Sequence, residues 1–221
     1  MFIRTATRSA IAIAASVLLV ACSVPSAHHV GSSAGGVFFN VPQNWSKVDD
    51  RLVAKAQEGW SESEAGAAIL DSTVWFEVWR YSDSVSVNQA LSNNVVESPV
   101  VIASVRNLLD LEKTQLTADI KNDLQDLVLP VSDAVDGDGL EVKANDRFSF
   151  SGYEGLQQTL SWDADGKTQT FRIVSLLNPA RTRLISFIAR CSDTCFTTHS
   201  AEIETIIKSI TLKEPANVSS P

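Results

Sequence analysis

Trp75, Glu77, Trp79 and Tyr81 alternate through the stretch Thr73 to Tyr81, so in an extended chain three rings and a carboxylate share one side. Rings stack on sugars and planar ligands, and a carboxylate gives such a ligand a polar handle. The strip is therefore a candidate binding surface, with Trp60 on a neighbouring loop as a further wall. The competing reading is a sheet face covered by a helix, where aromatics at this spacing usually sit. Cys191 and Cys195 stand four positions apart after a strand-like segment. Outside the cytoplasm such a pair forms a structural disulfide, and closing so short a loop contributes about 2 kcal/mol. A redox pair would favour Cys-x-x-Cys, and a zinc site would need further ligands.

Groups for catalysis are few. The chain has three histidines, His28 and His29 near the start and His199 towards the end. A hydrolase needs a nucleophile, a base and an orienting group. There is no Gly-x-Ser-x-Gly elbow, no His-Glu-x-x-His and no phosphate loop, and His199 is expected in the N-terminal region of the last helix. Asp133, Asp136, Asp138 and Glu141 cluster around two glycines, but they lack the calcium-loop spacing and read as a solvated acidic loop. Asp163 and Asp165 belong to a hairpin turn. The expectation is a protein that is not an enzyme, with no metal and no cofactor.

The first residues read as an address. Arg4 and Arg8 precede an apolar run from Ile11 to Val20, closed by Leu19-Val20-Ala21-Cys22. This resembles the bacterial lipoprotein signal, which implies cleavage before Cys22 and acylation of its thiol. The alternatives are an ordinary signal peptide or a transmembrane anchor, but the run is shorter than the roughly 20 residues a span needs. Two or three acyl chains exceed the single-chain threshold of marginal membrane binding. Removing residues 1 to 21 takes away Arg4 and Arg8 and leaves 16 Lys+Arg against 26 Asp+Glu, a formal charge of −10. So acidic a body excludes nucleic acid as a partner and leaves the lipid to hold the membrane.

These features divide the chain into a signal peptide (1–21), a flexible tether rich in Ser and Gly (22–36), one domain (37–213) and a frayed tail (214–221). Within the domain, Val37 to Val41 is a short strand, Ala67 to Asp71 another, and Thr73 to Tyr81 the strongest strand signal. In that strand Val74, Phe76 and Val78 oppose the aromatic strip. Val48 to Trp60 shows no clean alternation, Val87 to Leu91 a helical turn, and Val100 to Val105 a β-branched strand. Ser82 to Pro99, polar and irregular, is a second candidate surface. Leu116 to Leu127 is helical with Thr117 as a cap, and Pro130 ends it. Tyr153 to Trp162, Gln169 to Leu177 and Arg183 to Arg190 form a meander with short turns, closed by an amphipathic helix from Ser200 to Ser209.

Val41-Pro42-Gln43-Asn44-Trp45 is similar to the V-P-x-x-W opening of the PsbP/Mog1-like superfamily. Gly152-Tyr153-Glu154-Gly155, which opens the meander, and the closing Ile206-Ile207-Lys208-Ser209-Ile210 are similar to that superfamily's ending. The order of elements also resembles the actinobacterial LpqN-type envelope lipoproteins. The resemblance covers residues 37 to 212 and implies an α+β fold, an α/β/α sandwich on a mostly antiparallel sheet. It implies a non-enzymatic role in binding a partner protein, such as a photosystem component, a small GTPase or envelope machinery. The tether, the cysteine pair and the scarcity of histidines depart from plant and cyanobacterial PsbP and speak against a photosystem role. The reading is a membrane-anchored envelope lipoprotein that acts as an interaction module. The alternative is a carrier of a lipid or other small molecule, with Trp75, Trp79 and Trp60 lining its pocket.

Overall fold

The computed structural model describes residues 27–92, 94–128, 140–164 and 166–213. In chain order these form β1 (Ala27–Ser32), β2 (Val37–Pro42), β3 (Ser46–Lys47), α1 (Asp50–Gln57), a 3-10 helix (Glu58–Glu62), α2 (Glu64–Ser72) and β4 (Thr73–Arg80). There follow α3 (Val87–Leu91), β5 (Val100–Asn107), α4 (Asp110–Gln115), α5 (Ile120–Val128) and β6 (Leu140–Phe150). The chain closes with β7 (Tyr153–Ala164), β8 (Lys167–Leu177), β9 (Arg183–Ser192), α6 (Asp193–Lys208) and β10 (Thr211–Leu212).

A seven-stranded sheet runs β3-β4-β5-β9-β8-β7-β6, and a three-stranded sheet runs β1-β2-β10. Every pairing is antiparallel. Period two gives the long sheet two apolar faces. One carries Trp79, Val101, Ala103, Ile185, Phe187, Val174 and Leu176, packed with Val37, Phe39 and Val41 of β2 and Ile203 and Ile206 of α6. The other carries two clusters, Val78 and Val100 with Val53 of α1 and Ala90 of α3, and Leu156, Ile173 and Leu184 with Leu124 of α5. The protein is thus α+β, with helices on one side of an antiparallel sheet and α6 plus a small sheet on the other.

Local chemistry sets the boundaries. Asp49 accepts from Arg51 N at 2.8 Å and Ser63 from Gly66 N at 3.0 Å, starting α1 and α2. Ser86 and Gln89 form a reciprocal capping box on α3. The β6–β7 turn holds Ser151 at φ 52° and Gly152 at φ 81°, the pair of positive φ values that a tight hairpin of this twist requires.

Several expectations are corrected. Residues 22–36 do not form a tether throughout, because 27–32 are a strand. Val30 is a core residue, the His29 Nδ1 to Asn40 Oδ1 contact is 2.7 Å, and the Ser/Gly run is the turn of the β1–β2 hairpin, with Gly36 at φ 71°. The folded body therefore begins before residue 37. Ala67 to Asp71 lies inside α2 rather than forming a strand, since Ser63 caps a run of small helix-compatible residues. The last helix starts at Asp193, seven residues earlier than expected, with Cys195 in its first turn, so His199 sits in mid-helix. A bulge between Thr73 and Trp75 turns Val74 away from Phe76 and Val78 and into the cluster around Trp79. Leu140–Phe150 and Asp110–Gln115 are elements without a sequence-based counterpart. Glu141 lies in β6, while Asp133, Asp136, Asp138 and Asp165, the tail 214–221 and the signal segment fall outside the described residues.

Candidate functional site

The aromatic strip of β4 is built as expected along the strand and then roofed. Trp79 is 6% exposed, and its Nε1 donates to Glu77 Oε2 at 2.9 Å. Lys47 from β3 bonds the other oxygen of Glu77 at 3.1 Å and also pairs with Asp50. The two carboxylates hold the Lys47 ammonium above its ordinary pKa, against the opposing pull of its partial burial. His28 lays its ring 5.2 Å from that of Trp79, and Phe39 meets Trp75 at 6.1 Å, edge on. Tyr81 sits between Trp45 at 5.9 Å and His199 at 4.5 Å. The polar handle of the strip is thus engaged, Trp79 is core, and Trp75 and Tyr81 are partly buried against the same cluster.

Trp60 does not join them. It packs edge on against Phe76, 6.1 Å away, and Phe76 belongs to the helix side of the sheet with Val78. Period two separates Trp60 from Trp75 and Trp79 by the thickness of the sheet, so the three cannot line one pocket.

His199 pairs with Glu202 at 3.1 Å, and Glu202 also accepts from Asn44 at 3.4 Å. These contacts tie α6 to the segment after β2. Cys191 and Cys195 are joined by a disulfide that fastens the end of β9 to the first turn of α6. Cys22 lies outside the described residues. Among the described residues no group of three or more His, Cys, Asp or Glu side chains is placed to hold a metal ion. Likewise no described helix is long and apolar enough to cross a membrane.

The insertion from Ser82 to Pro99 is pinned rather than loose. Arg190, 3% exposed, donates to the carbonyls of Gln89 at 2.5 Å and Ala90 at 3.0 Å, which caps the end of α3. Burial pulls the Arg190 guanidinium down to about 10. Gln169 accepts from Val96 N at 3.0 Å, and Ser192 N donates to Val96 O at 2.7 Å.

Among the described residues, depressions on the surface include two that bear on function. One, of about 440 Å³, is lined by Leu140, Glu141, Lys143, Ser161, Asp163, Thr168 and Asp193. A hydrogen bond from Thr170, followed by the one from Lys143, holds the Asp193 carboxyl below its usual range. The other, of about 420 Å³, lies on the outer side of the small sheet beside His29, Phe38, Asn40, Ser209, Thr211 and Lys213. Sequence reasoning missed this second depression because it placed His28 and His29 in a tether.

The architecture of two opposed layers on a long antiparallel sheet is PsbP-like. Its solved neighbours include cyanobacterial PsbP (CyanoP) from Synechocystis sp. PCC 6803, at a TM-score of 0.54 and 14% identity, covering 87% of this chain and 96% of that one. LpqN of Mycobacterium tuberculosis, described as involved in cell envelope biogenesis, aligns at a TM-score of 0.49 and 14% identity over 85% of this chain and 91% of its own. The Saccharomyces cerevisiae Ran-binding protein Mog1p aligns at 0.48 and 9% identity over 85% and 95%. At these identities the likeness concerns the fold alone. No family model matches the sequence, and no curated protein matches it.

Proposed function

We propose that the protein is a lipoprotein of the cell envelope, anchored on the extracytoplasmic face through Cys22, whose domain acts as a non-catalytic interaction or accessory module for an envelope protein. The anchor rests on the n-region, apolar run and small-residue site before Cys22. The module reading rests on one observation: the aromatic strip that would have lined an internal pocket is covered by Phe39, His28 and Trp45 and its carboxylate is ion-paired. Binding is thereby left to the outer surfaces.

A second reading, carriage of a lipid or other small molecule, draws on the helix side of the sheet. Gln158 is fully buried there with both amide atoms unpartnered, and the Ser175 hydroxyl is unpartnered on neighbouring β8. Buried polar groups normally have partners, and a ligand could supply them. Native mass spectrometry of the protein purified gently from its own host separates the two. A bare mass, followed by capture of a protein neighbour through crosslinking in the intact envelope, is the expected result. A discrete added small-molecule mass would replace the module reading with the carrier.

A further inference from the structure

The small sheet differs from the rest of the molecule in charge. The first 48 residues contain no Asp or Glu, so all 26 carboxylates of the chain lie from Asp49 onward. Strands β1 and β2 come wholly from that stretch, and β10 adds Thr211 and Leu212, followed by Lys213. Alternation sends Val30, Val37, Phe39 and Val41 into the core and leaves His29, Phe38, Asn40 and Thr211 on the outer side. The Lys213 ammonium sits 4.9 Å from the centre of the Phe38 ring, and its backbone N–H is held by Gly36 O at 2.8 Å. Gly31 makes room for that ring, since a Cβ there would come within 2.2 Å of it. Among the described residues no carboxylate pairs with Lys213 or lines this depression. A cation, an imidazole, an amide and hydroxyls without a competing carboxylate suit phosphate oxygens.

The position of this face gives the phosphate a source. On the anchor reading proposed above, five residue steps separate Cys22 from Ala27, a reach of at most about 18 Å. Because β1 is a strand and not tether, the folded chain enters the small sheet within that reach of the acyl chains. An acidic body of formal charge −10 is repelled by anionic headgroups unless it turns a locally carboxylate-free face to them, and the outer face of the small sheet is such a face although Glu202 and Glu204 lie on neighbouring α6. We infer that the outer face of β1-β2-β10 docks on the lipid phosphates of the bilayer that holds the Cys22 anchor. Anchor and face together fix the domain's orientation, with the helices α1 to α5 turned away from the membrane.

The test uses full-length acylated protein in vesicles of phosphatidylcholine and phosphatidylglycerol, with one added thiol for a fluorescent label. The label is placed at Thr211→Cys on the docking face or at Leu111→Cys, an exposed position on α4 beyond the long sheet. Flotation is measured first, then quenching by a headgroup-attached quencher. Quenching at 211 is expected to exceed that at 111 by at least about threefold, because two layers of about 10 Å each separate the positions. The double change His29→Glu with Lys213→Glu should bring the two labels towards equality without releasing the protein. Protein that floats but shows equal quenching at both positions overturns the docking face and leaves the anchor standing. Protein that does not float overturns the anchor reading and this one with it.

Discussion

The β4 strip and the outer face of the small sheet use similar parts. Each has a ring beside a histidine and a lysine: Trp79 with His28 and Lys47 in one, Phe38 with His29 and Lys213 in the other. In the first, Lys47 is neutralised by Glu77 and Asp50, and Glu77 keeps only 13% of its side chain exposed. In the second, the lysine charge rests over a ring with no described carboxylate beside it. Adjacent residues His28 and His29 end on opposite sides because β1 is itself the roof, with an inner and an outer surface. Residue type therefore does not distinguish core from open surface here. The presence of another layer does.

The largest effect that would break this comparison is at Trp79. Trp79→Ala should cost about 3–5 kcal/mol of stability in urea unfolding, as expected for emptying a packed site. An unchanged midpoint would return the strip to the surface. A smaller loss contrasts a closed charge with the open one on Lys213. Arg106 meets both oxygens of Glu112 at 2.7 Å, and Glu112 also accepts from Leu109 N. Burial alone would raise the Glu112 pKa, but the Arg106 bonds and the backbone bond from Leu109 outweigh it, so the carboxyl lies below its ordinary range. Glu112→Gln should cost about 2–3 kcal/mol at pH 7, less than a fully buried pair because some solvent reaches it. A depressed carboxylate pKa stabilises the fold above the unfolded value, and that stability disappears as pH falls through the folded one. The difference between wild type and variant should be flat from pH 7 down to about 5 and shrink below the ordinary carboxylate pKa of about 4.3.

The disulfide holds the start of α6, which helps roof the closed face. Replacing both Cys191 and Cys195 with Ser should lower stability by about 2 kcal/mol, read by thermal unfolding. The smallest effect belongs to the open face. Phe38→Ala, at a half-buried ring, should change stability by no more than about 1 kcal/mol while weakening vesicle orientation in the labelling assay. A loss as large as that at Trp79 would show that Phe38 is core.

Strands with strong alternation or β-branched content were legible in sequence: β4, β5, β8 and β9 lie where their patterns place them, and α3 spans the residues its turn signal marks. The missed elements had weaker local signals. Ser and Gly in 31–36 read as linker, and only pairing with β2 makes 27–32 a strand. Strand β6 is exposed along most of its length and carries Glu141, Lys143, Asp146 and Arg147, so its alternation is masked, and a bulge at Lys143 shifts its register. The start of α6 was obscured because the apolar helical spacing begins only after the cysteine pair, of which one member closes the strand and the other opens the helix. The candidate site followed the same rule. Spacing along β4 put Trp75, Glu77, Trp79 and Tyr81 on one side, but no pattern within β4 could reveal that β1 and β2 would cover the two tryptophans, Lys47 the carboxylate, and Trp45 and His199 the tyrosine. Trp60 was assigned by nearness in sequence, and the sheet places it on the far side.

The most direct test of the envelope-lipoprotein proposal is fractionation of the native host expressing the full chain or its Cys22→Ser variant. The proposal predicts that the wild-type protein sediments with membranes and takes up labelled fatty acid, while the variant appears in the soluble fraction unlabelled. A variant that remained with the membranes as completely as wild type would contradict it.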